Sequence, residues 1–485
     1  MSYEELLQEN ALQKKRIASL EAQLSQLLKL INGFKSERML ATDIDANQTS
    51  LFDVQSLEDE RELEDQTITY ARKKTKHQGR NKLPEHLPVK EIIIEPEQDT
   101  EGLVKIGEEI TETLEYTPAS LIKRRTIRPK YAKADGQGIV IGQLPSRPIE
   151  KSIAEASLLA YILVSKYVDH LPLYRQIQKF NREFGWKPAQ STLCDWVNSC
   201  CKLLDPLFNM LKQKVLCSDY IQADESPIKV LDKDKARTTH QGYQWVYHNP
   251  LDNLVLFNYR KGRGQNGPKE ILSQYKGYLQ CDGYKVYDVI GKQEGITLVG
   301  CLAHARRKFF DAQDNDPKRA KYVLEIIARI YHLDKLIRND IQQDYSQLQK
   351  QRKENIEPLL KQIKTWIENE SLNVLPQSAI AKAMRYFIQQ YPKLENILLD
   401  PRLRLDNNLI ENKIRPLALG RKNYLFAGSH KAAQNTAMIY SFFASCKANN
   451  VNPLQWLNDI LKKIPDWNIQ ELDQLLPNQW KKANT

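Results

Sequence analysis

The stretch from Ser218 to His304 constrains the fold most, because its apolar residues change from helical spacing to a period of two. Five strand segments are read there. The first three are "SDYIQADESPIKVLD", "GYQWVYHNP" and "LDNLVLFNYR"; after a short helix, "GPKEILSQY", come "GYLQCDGYKVYD" and "GITLVGCLAH". Asp224 follows "YIQA" in the first strand and Asp282 follows "YLQC" in the fourth, 58 residues later. A single Asp at a strand end is usually a turn or cap residue. Two at matching places suggest a shared role.

Three strands, a helix, a strand and further α/β elements is the order of a ribonuclease H-like core. In that fold the first and fourth strands are neighbours, so Asp224 and Asp282 would project into one site. Two adjacent carboxylates repel, and one takes a proton unless a divalent cation neutralises them. A third ligand is therefore expected. Glu411 is the one acid in "NNLIENKIRPLALGRKNYLFAGS", with Asn407, Asn408 and Asn412 around it and Arg415, Arg421 and Lys422 after it. The segment is expected to be a helix capped by Asp406, ended or kinked at Pro416 and stopped at Gly420. Asn408, Glu411 and Arg415 would share a polar face, with Leu405, Leu409 and Ile410 turned to the sheet. Arg415, Arg421, Lys422, Asn407 and Asn408 would hold the phosphates of a bound strand.

The rest of the chain frames this core as an α+β multidomain protein. Residues 1–36 carry heptads with Tyr3, Asn10, Ile17, Leu24 and Ile31 at a and Leu6, Gln13, Leu20, Leu27 and Phe34 at d. Such a pattern predicts a parallel two-stranded coiled coil, hence a homodimer or larger assembly, although a helix packed on its own chain shows a similar stripe. Residues 37–88 form a charged linker, acidic and then basic. Residues 89–150 read as a small β-rich module whose Lys123, Arg124, Arg125 and Arg128 suit either DNA backbone or an exposed edge strand. In 151–215 a buried helix, "AEASLLAYILVSKYV", precedes two helices joined by a turn at Gly185 to Pro188, with Leu173, Ile177, Phe180, Leu193, Trp196 and Val197 inside. That is a helix-turn-helix pattern with Gln190, Ser191 and Thr192 leading the recognition helix, or an ordinary helical hairpin. The catalytic core is assigned to 216–303 and 404–430, a helical insertion to 304–403 and a C-terminal helical region to 431–485. Arg306, Arg307 and Lys308 at the mouth of the insertion suit phosphates or a plain charged surface.

Lys plus Arg is 71 against 60 for Asp plus Glu, a formal charge of +11, which favours a polyanionic partner such as DNA. No apolar run approaches the ~18 residues of a membrane span, and the start "MSYEELLQEN" has no basic and apolar leader, so no membrane association and a cytoplasmic location are expected. Seven cysteines with no CxxC pair suggest reduced thiols.

Several blocks also resemble, in order, the insertion sequence 66 family of bacterial DDE transposases: "QADESPIKVLD", "LQCDGYKVYD", "GCLAHARRKFFDA" and "LDNNLIENKIRPLALGRKNYLFAGS". The similarity extends to "KIGEEITETLEYTPASLIKRRTIRPKYA" and to the tail "AMIYSFFASCKANNVNPLQWL". It implies catalytic, metal-binding acids at Asp224, Asp282 and Glu411, with Mg²⁺ or Mn²⁺ as cofactor. Cys301 and His304 match a C-x-x-H element of such enzymes, giving His304 a role in DNA or active-site positioning. Partners implied are terminal inverted repeats, target DNA and small accessory proteins of the same element. Many members carry zinc-ribbon cysteines where this chain has "EPEQDTEG" and "AKADGQG", so zinc is not expected here. Two rival functions are a DNA-binding regulator or inactive relic using the zipper and helix-turn-helix alone, and a glycosidase, which would need an aromatic cleft and no metal.

Overall fold

The computed structural model describes residues 120–122, 130–132, 139–141, 145–232, 239–341 and 344–480. The expected coiled coil, the charged linker and Lys123, Arg124, Arg125 and Arg128 lie outside the described residues. The chain divides into a unit of Val54–Arg128 and one comprising Met1–Asp53 and Pro129–Thr485. In the second unit, β1 (Lys130–Ala132) pairs antiparallel with β2 (Ile139–Ile141), within the span expected to be a β module.

Three helices of the same unit come next: α1 (Ala156–Tyr167), α2 (Leu173–Phe184) and α3 (Gln190–Leu216). Gly185 ends α2 in the left-handed region, φ 64°, where glycine carries no Cβ penalty. The expected inner face, from Leu173 to Val197, is buried.

A five-stranded sheet follows, with β3 (Tyr220–Leu231), β4 (Thr239–Asn249), β5 (Leu254–Arg260), β6 (Gly277–Gln280) and β7 (Ile296–Val299) in the order β5-β4-β3-β6-β7. β3 to β5 are antiparallel to one another; β6 runs parallel to β3, and β7 parallel to β6. The first and fourth strands of the sheet are therefore neighbours. Between β5 and β6 lies α4 (Asn266–Ile271). The fourth strand is shorter than its sequence suggested. Asp282 accepts the amide of Tyr284 at 2.9 Å, a local turn that ends the strand, and "KVYDVI" becomes the helix α5 (Lys285–Ile290), burying Tyr287 and Ile290.

Beyond β7 the expected helical insertion appears as α6 (Leu302–Asp311), α7 (Pro317–Asp340), α8 (Tyr345–Asn355), α9 (Glu357–Glu370) and α10 (Ala379–Glu395). The chain returns in α11 (Asn408–Tyr424), α12 (His430–Ala448) and α13 (Pro453–Lys463). Two apolar cores result. One joins α1 to α3, α12 and α13 with Ile221 and Ala223 of β3; the other joins α6 to α10 with Tyr220, on the opposite face of that strand. No helix among the described residues is long and apolar enough to cross a membrane.

The helix carrying Glu411 departs from expectation in three ways. It runs through Pro416 and Gly420 to Tyr424, because a proline removes one backbone bond while Ile410, Ile414 and Leu417 stay buried on its inner face. Its N-cap is Asn407, although Asp406 still accepts the Asn408 amide at 3.1 Å. Leu409 faces solvent rather than the sheet, at 37 % exposure. Gly420 is a packing residue: a Cβ there would lie 2.5 Å from the Tyr440 hydroxyl and 2.7 Å from the Tyr424 ring. Alanine gains about 1 kcal/mol over glycine in an open helix, but overpacking of a tight core costs about 1–3 kcal/mol. Gly420→Ala should therefore lower stability on balance, seen as a lower urea midpoint; a raised midpoint would refute the packing role.

Candidate active site

Asp224 and Asp282 are brought to one side of the sheet by the β3–β6 register. Tyr220 pairs with Tyr278, Ile221 with Leu279 and Gln222 with Gln280. Each aspartate stands two residues past its glutamine, Asp224 within β3 and Asp282 two residues beyond the end of β6. Asp224 Oδ1 accepts the amide of Glu225 at 2.7 Å. Burial pushes the Asp224 carboxyl well above the usual carboxylate range, and the like charges of Glu225, Asp282 and, more weakly, Glu411 push it the same way.

Glu225 belongs to this cluster and was not singled out in the sequence. Its side chain is 4 % exposed and accepts Arg263 Nε at 2.9 Å and Nη2 at 2.6 Å. Tyr287 donates to its other oxygen at 3.3 Å. Burial still raises the Glu225 carboxyl, with Arg263 opposing it. Arg263 lies 4.2 Å from the centre of the Tyr284 ring, whose hydroxyl donates to the Arg263 carbonyl at 3.0 Å. The only hint in the sequence was an acid directly after Asp224.

Glu411 occupies the first turn of α11 and is half-buried. Burial raises its carboxyl; Arg307 and Arg415 pull it down, while Asp406 and Asp282 add to the rise. His304 Nε2 stands 3.9 Å from Glu411 Oε1. Burial lowers the His304 pKa, so the ring is neutral at pH 7 and the contact is a dipolar one. Cys301, three residues earlier, is buried at the N-cap of α6 and its Sγ takes the Asn407 amide at 3.5 Å. The C-x-x-H element thus joins the start of α6 to the entry of α11.

The three acids influence one another electrostatically but form no ready-made chelate. Among the described residues no three His, Cys, Asp or Glu side chains stand close enough to hold a metal ion. Like charges without a cation between them have no reason to converge, and Glu411 feels Arg307 and Arg415 on its own side. The donor set nevertheless suits a hard divalent cation. The largest influences on Asp224 are burial and other acids, offset by a single amide.

The remaining candidates divide. Asn407 is fully buried, with both amide atoms lacking a hydrogen-bond partner, so it cannot touch DNA from the surface. Arg421 donates to the Pro227 carbonyl and ties α11 to β3. Asn408 donates to Asp406 at 3.1 Å and is half-buried, as are Arg306, Arg307 and Arg415. Lys308 and Lys422 are exposed. Gln190 and Ser191 are exposed and Thr192 half-buried at the head of α3, which packs into the core on the other face of the sheet.

Comparison with known proteins fixes the family. Residues 151–435 match the model described as Transposase IS66 family, residues 441–478 the IS66 C-terminal element, and residues 19–92 the model described as Transposase C of IS166 homeodomain. The chain belongs to the IS66 transposase family. It is 31 % identical over 510 residues to the uncharacterized protein y4jD of Sinorhizobium fredii (strain NBRC 101917 / NGR234), covering 99 % of this chain and 98 % of that one. The uncharacterized protein y4qI of the same strain is 32 % identical over 488 residues, covering 96 % and 89 %.

For this IS66-family chain the acid cluster carries a stability cost with a definite sign. The folded Asp224 carboxyl holds its proton to higher pH than the unfolded one, whose value is ~3.9. The cost of ionising it is absent below that value and grows as pH rises through the folded one. Asp224→Asn should therefore raise the Tm of the metal-free protein at pH 7.5, by roughly 2–4 °C per kcal/mol recovered, and the gain should shrink toward pH 4. Thermal unfolding in EDTA across that range is the check; an equal or lower Tm at pH 7.5 would show that the charge is compensated.

Proposed function

We propose that the chain is a metal-dependent DNA transposase that cuts and rejoins strands at the ends of a mobile element, using Asp224, Asp282 and Glu411 on a ribonuclease H-like sheet. The observation that supports this reading is the parallel pairing of β3 with β6, which ends at Gln222 and Gln280 two residues before each half-buried aspartate, together with the rise that Asp282 causes in the Asp224 carboxyl. The sheet order and the helical insertion before Glu411 support it.

In this reading the three carboxylates share one or two divalent cations, Mg²⁺ or Mn²⁺, with water and a phosphate oxygen of the substrate. Once bound, such ions polarise the phosphate and lower the pKa of an attacking water or 3′-hydroxyl. The residues of the chain do the rest. Neutral His304 steadies the Glu411 carboxylate, and Arg307 and Arg415 balance charge on that side of the site. Lys308, Lys422 and Asn408 present donors to the phosphates next to the scissile one. Hydrolysis and strand transfer can use the same residues, since only the nucleophile differs. Gln190, Ser191 and Thr192 would read element-end bases, the basic segment with Lys123, Arg124, Arg125 and Arg128 would follow the backbone, and the heptads of 1–36 would bring two copies, and hence two ends, together.

The test is labelled element-end DNA incubated with the purified protein in Mg²⁺ or in EDTA. Wild type should generate a new 3′ end in Mg²⁺ only. Asp224→Asn, Asp282→Asn and Glu411→Gln should each lose on the order of 10³-fold in rate, the several kcal/mol that metal ions supply to a phosphoryl transition state. DNA binding should survive in all three and weaken steeply with salt. Cleavage that persists in these variants, or in EDTA, removes the assignment; binding without cleavage by wild type leaves a DNA-binding regulator.

A further inference from the structure

Directly before the two aspartates in β3 and β6, the core contains a connected set of polar side chains. Gln222 and Gln280 face each other across β3 and β6, and both are 0 % exposed. Gln222 Nε2 donates to Gln280 Oε1 at 2.9 Å, and the Tyr220 hydroxyl donates to the same oxygen at 2.5 Å. Gln280 Nε2 donates to the carbonyls of Gly300 at 3.2 Å and Arg404 at 2.7 Å. Gln222 Nε2 also reaches the Asp406 carbonyl at 3.2 Å, and its Oε1 meets His248 Nδ1 at 3.2 Å. Five segments therefore meet at this pair of amides: β3 with Asp224, β6 just before Asp282, β4 through His248, the turn leading to His304, and the 404–406 segment that opens into the Glu411 helix.

Burying two amides is costly unless every polar atom is paired, and an apolar pair of similar size fills a core at least as well. The strands around them supply apolar residues readily, as Ile221, Ala223, Leu279 and Cys281 show on the opposite face. The amides are thus not needed to fill space. What an apolar pair cannot do is fix distances, because dispersion is non-directional whereas a paired amide sets a length and an angle.

We infer that Gln222 and Gln280 form an amide clamp that sets the separation of Asp224 and Asp282 and docks the 404–406 segment so that Glu411 faces them. They are positioning residues; they do not touch substrate. The inference rests on the metal-dependent reading of the site. Groups that orient metal ligands typically change ion affinity 10- to 100-fold when removed, and the clamp should do the same.

The experiment uses the full-length protein with Gln222→Met, Gln280→Met and the double variant, which keep length and volume but remove the amides. Tyr220→Phe, which deletes one hydroxyl, serves should the methionine variants fold poorly. Two quantities are measured: the rise in Tm on titrating Mn²⁺ without DNA, and the Mg²⁺ concentration giving half-maximal end cleavage alongside the KM for DNA. The clamp predicts a rise of about 10-fold or more in both ion midpoints, a smaller rise in the same direction for Tyr220→Phe, and a DNA KM within about twofold of wild type. The double variant should be little worse than either single one, because the amides act as a unit. A lowered Tm with unchanged ion midpoints in all variants would reduce the glutamines to core packing and overturn the inference, while wild-type cleavage keeps the parent reading intact. Conversely, a wild type that binds Mn²⁺ but never cleaves, beside variants that bind it weakly, would sink the transposition chemistry and leave the clamp standing.

Discussion

The parallel pairing of β3 with β6 is the constraint on which the site depends, and it is short. Only three residue pairs define it, against ten between β3 and β4. Its register is nevertheless held at its start. Gly277 opens β6 with φ 138°, and a Cβ there would collide with the Asp219 carbonyl, so only glycine lets the strand begin at this point. The Tyr278 amide then donates to that carbonyl at 2.8 Å. A one-residue slip would exchange the places of Asp282 and Cys281, putting a thiol where the carboxylate stands. The register is thus fixed by backbone sterics, before any side-chain chemistry enters.

Charge around the acids is unevenly distributed, and the unevenness follows from which element supplies each base. Arg263, on the loop after β5, is taken up by Glu225 and by the rings of Tyr284 and Tyr243. Arg307, on α6, and Arg415, on α11, act on Glu411. Asp224 instead has acids for neighbours, and Asp282 beside it raises the cost of its ionisation. An arrangement that places its bases beside the flanking acids and surrounds Asp224 with other acids is destabilising in isolation. It is the kind of local conflict that functional sites tolerate.

Much of this was legible in the sequence, for reasons that differ by element. The period-two runs from Tyr220 onward and the Gly185 turn carry strong local signals, because strand alternation and a left-handed glycine are determined within a few residues. The pairing of the first and fourth strands could be anticipated because the order of three strands, a helix and a strand brings them together. What could not be read depends on contacts remote in sequence. Gly420 has the composition of a helix stop but is a close-approach residue under Tyr440. Asn407 reads as a polar surface residue, yet it is buried where its backbone N–H meets the Cys301 sulfur, 106 residues away along the chain. The end of β6 turned on one side-chain bond from Asp282, which competes with the strand ladder. Glu225 carried no local mark beyond its place after Asp224, because the partner that takes it up, Arg263, lies 38 residues further along the chain.

The helical insertion bears on the same question of how Glu411 is delivered. A segment returning from an excursion of about a hundred residues must be fixed in place, since closing so long a loop costs entropy that local contacts have to offset. Here the fixing comes from the insertion itself. Arg352, buried in α8, pairs with Asp334 of α7 at 2.7 Å and donates to the Leu403 carbonyl at 2.9 Å; Arg338 of α7 bonds the same carbonyl at 2.5 Å. Burial lowers Arg352 to about 10, still protonated at neutral pH, so the charge is held only because Asp334 and the carbonyls receive it. Three residues further on, the Tyr331 hydroxyl of α7 donates to Asp406 at 2.8 Å. The insertion therefore grips the 403–406 segment from one side while Gln222 and Gln280 grip it from the other. Its helices thus fix the segment that leads into the helix carrying Glu411, by contacts made more than fifty residues before it in the chain.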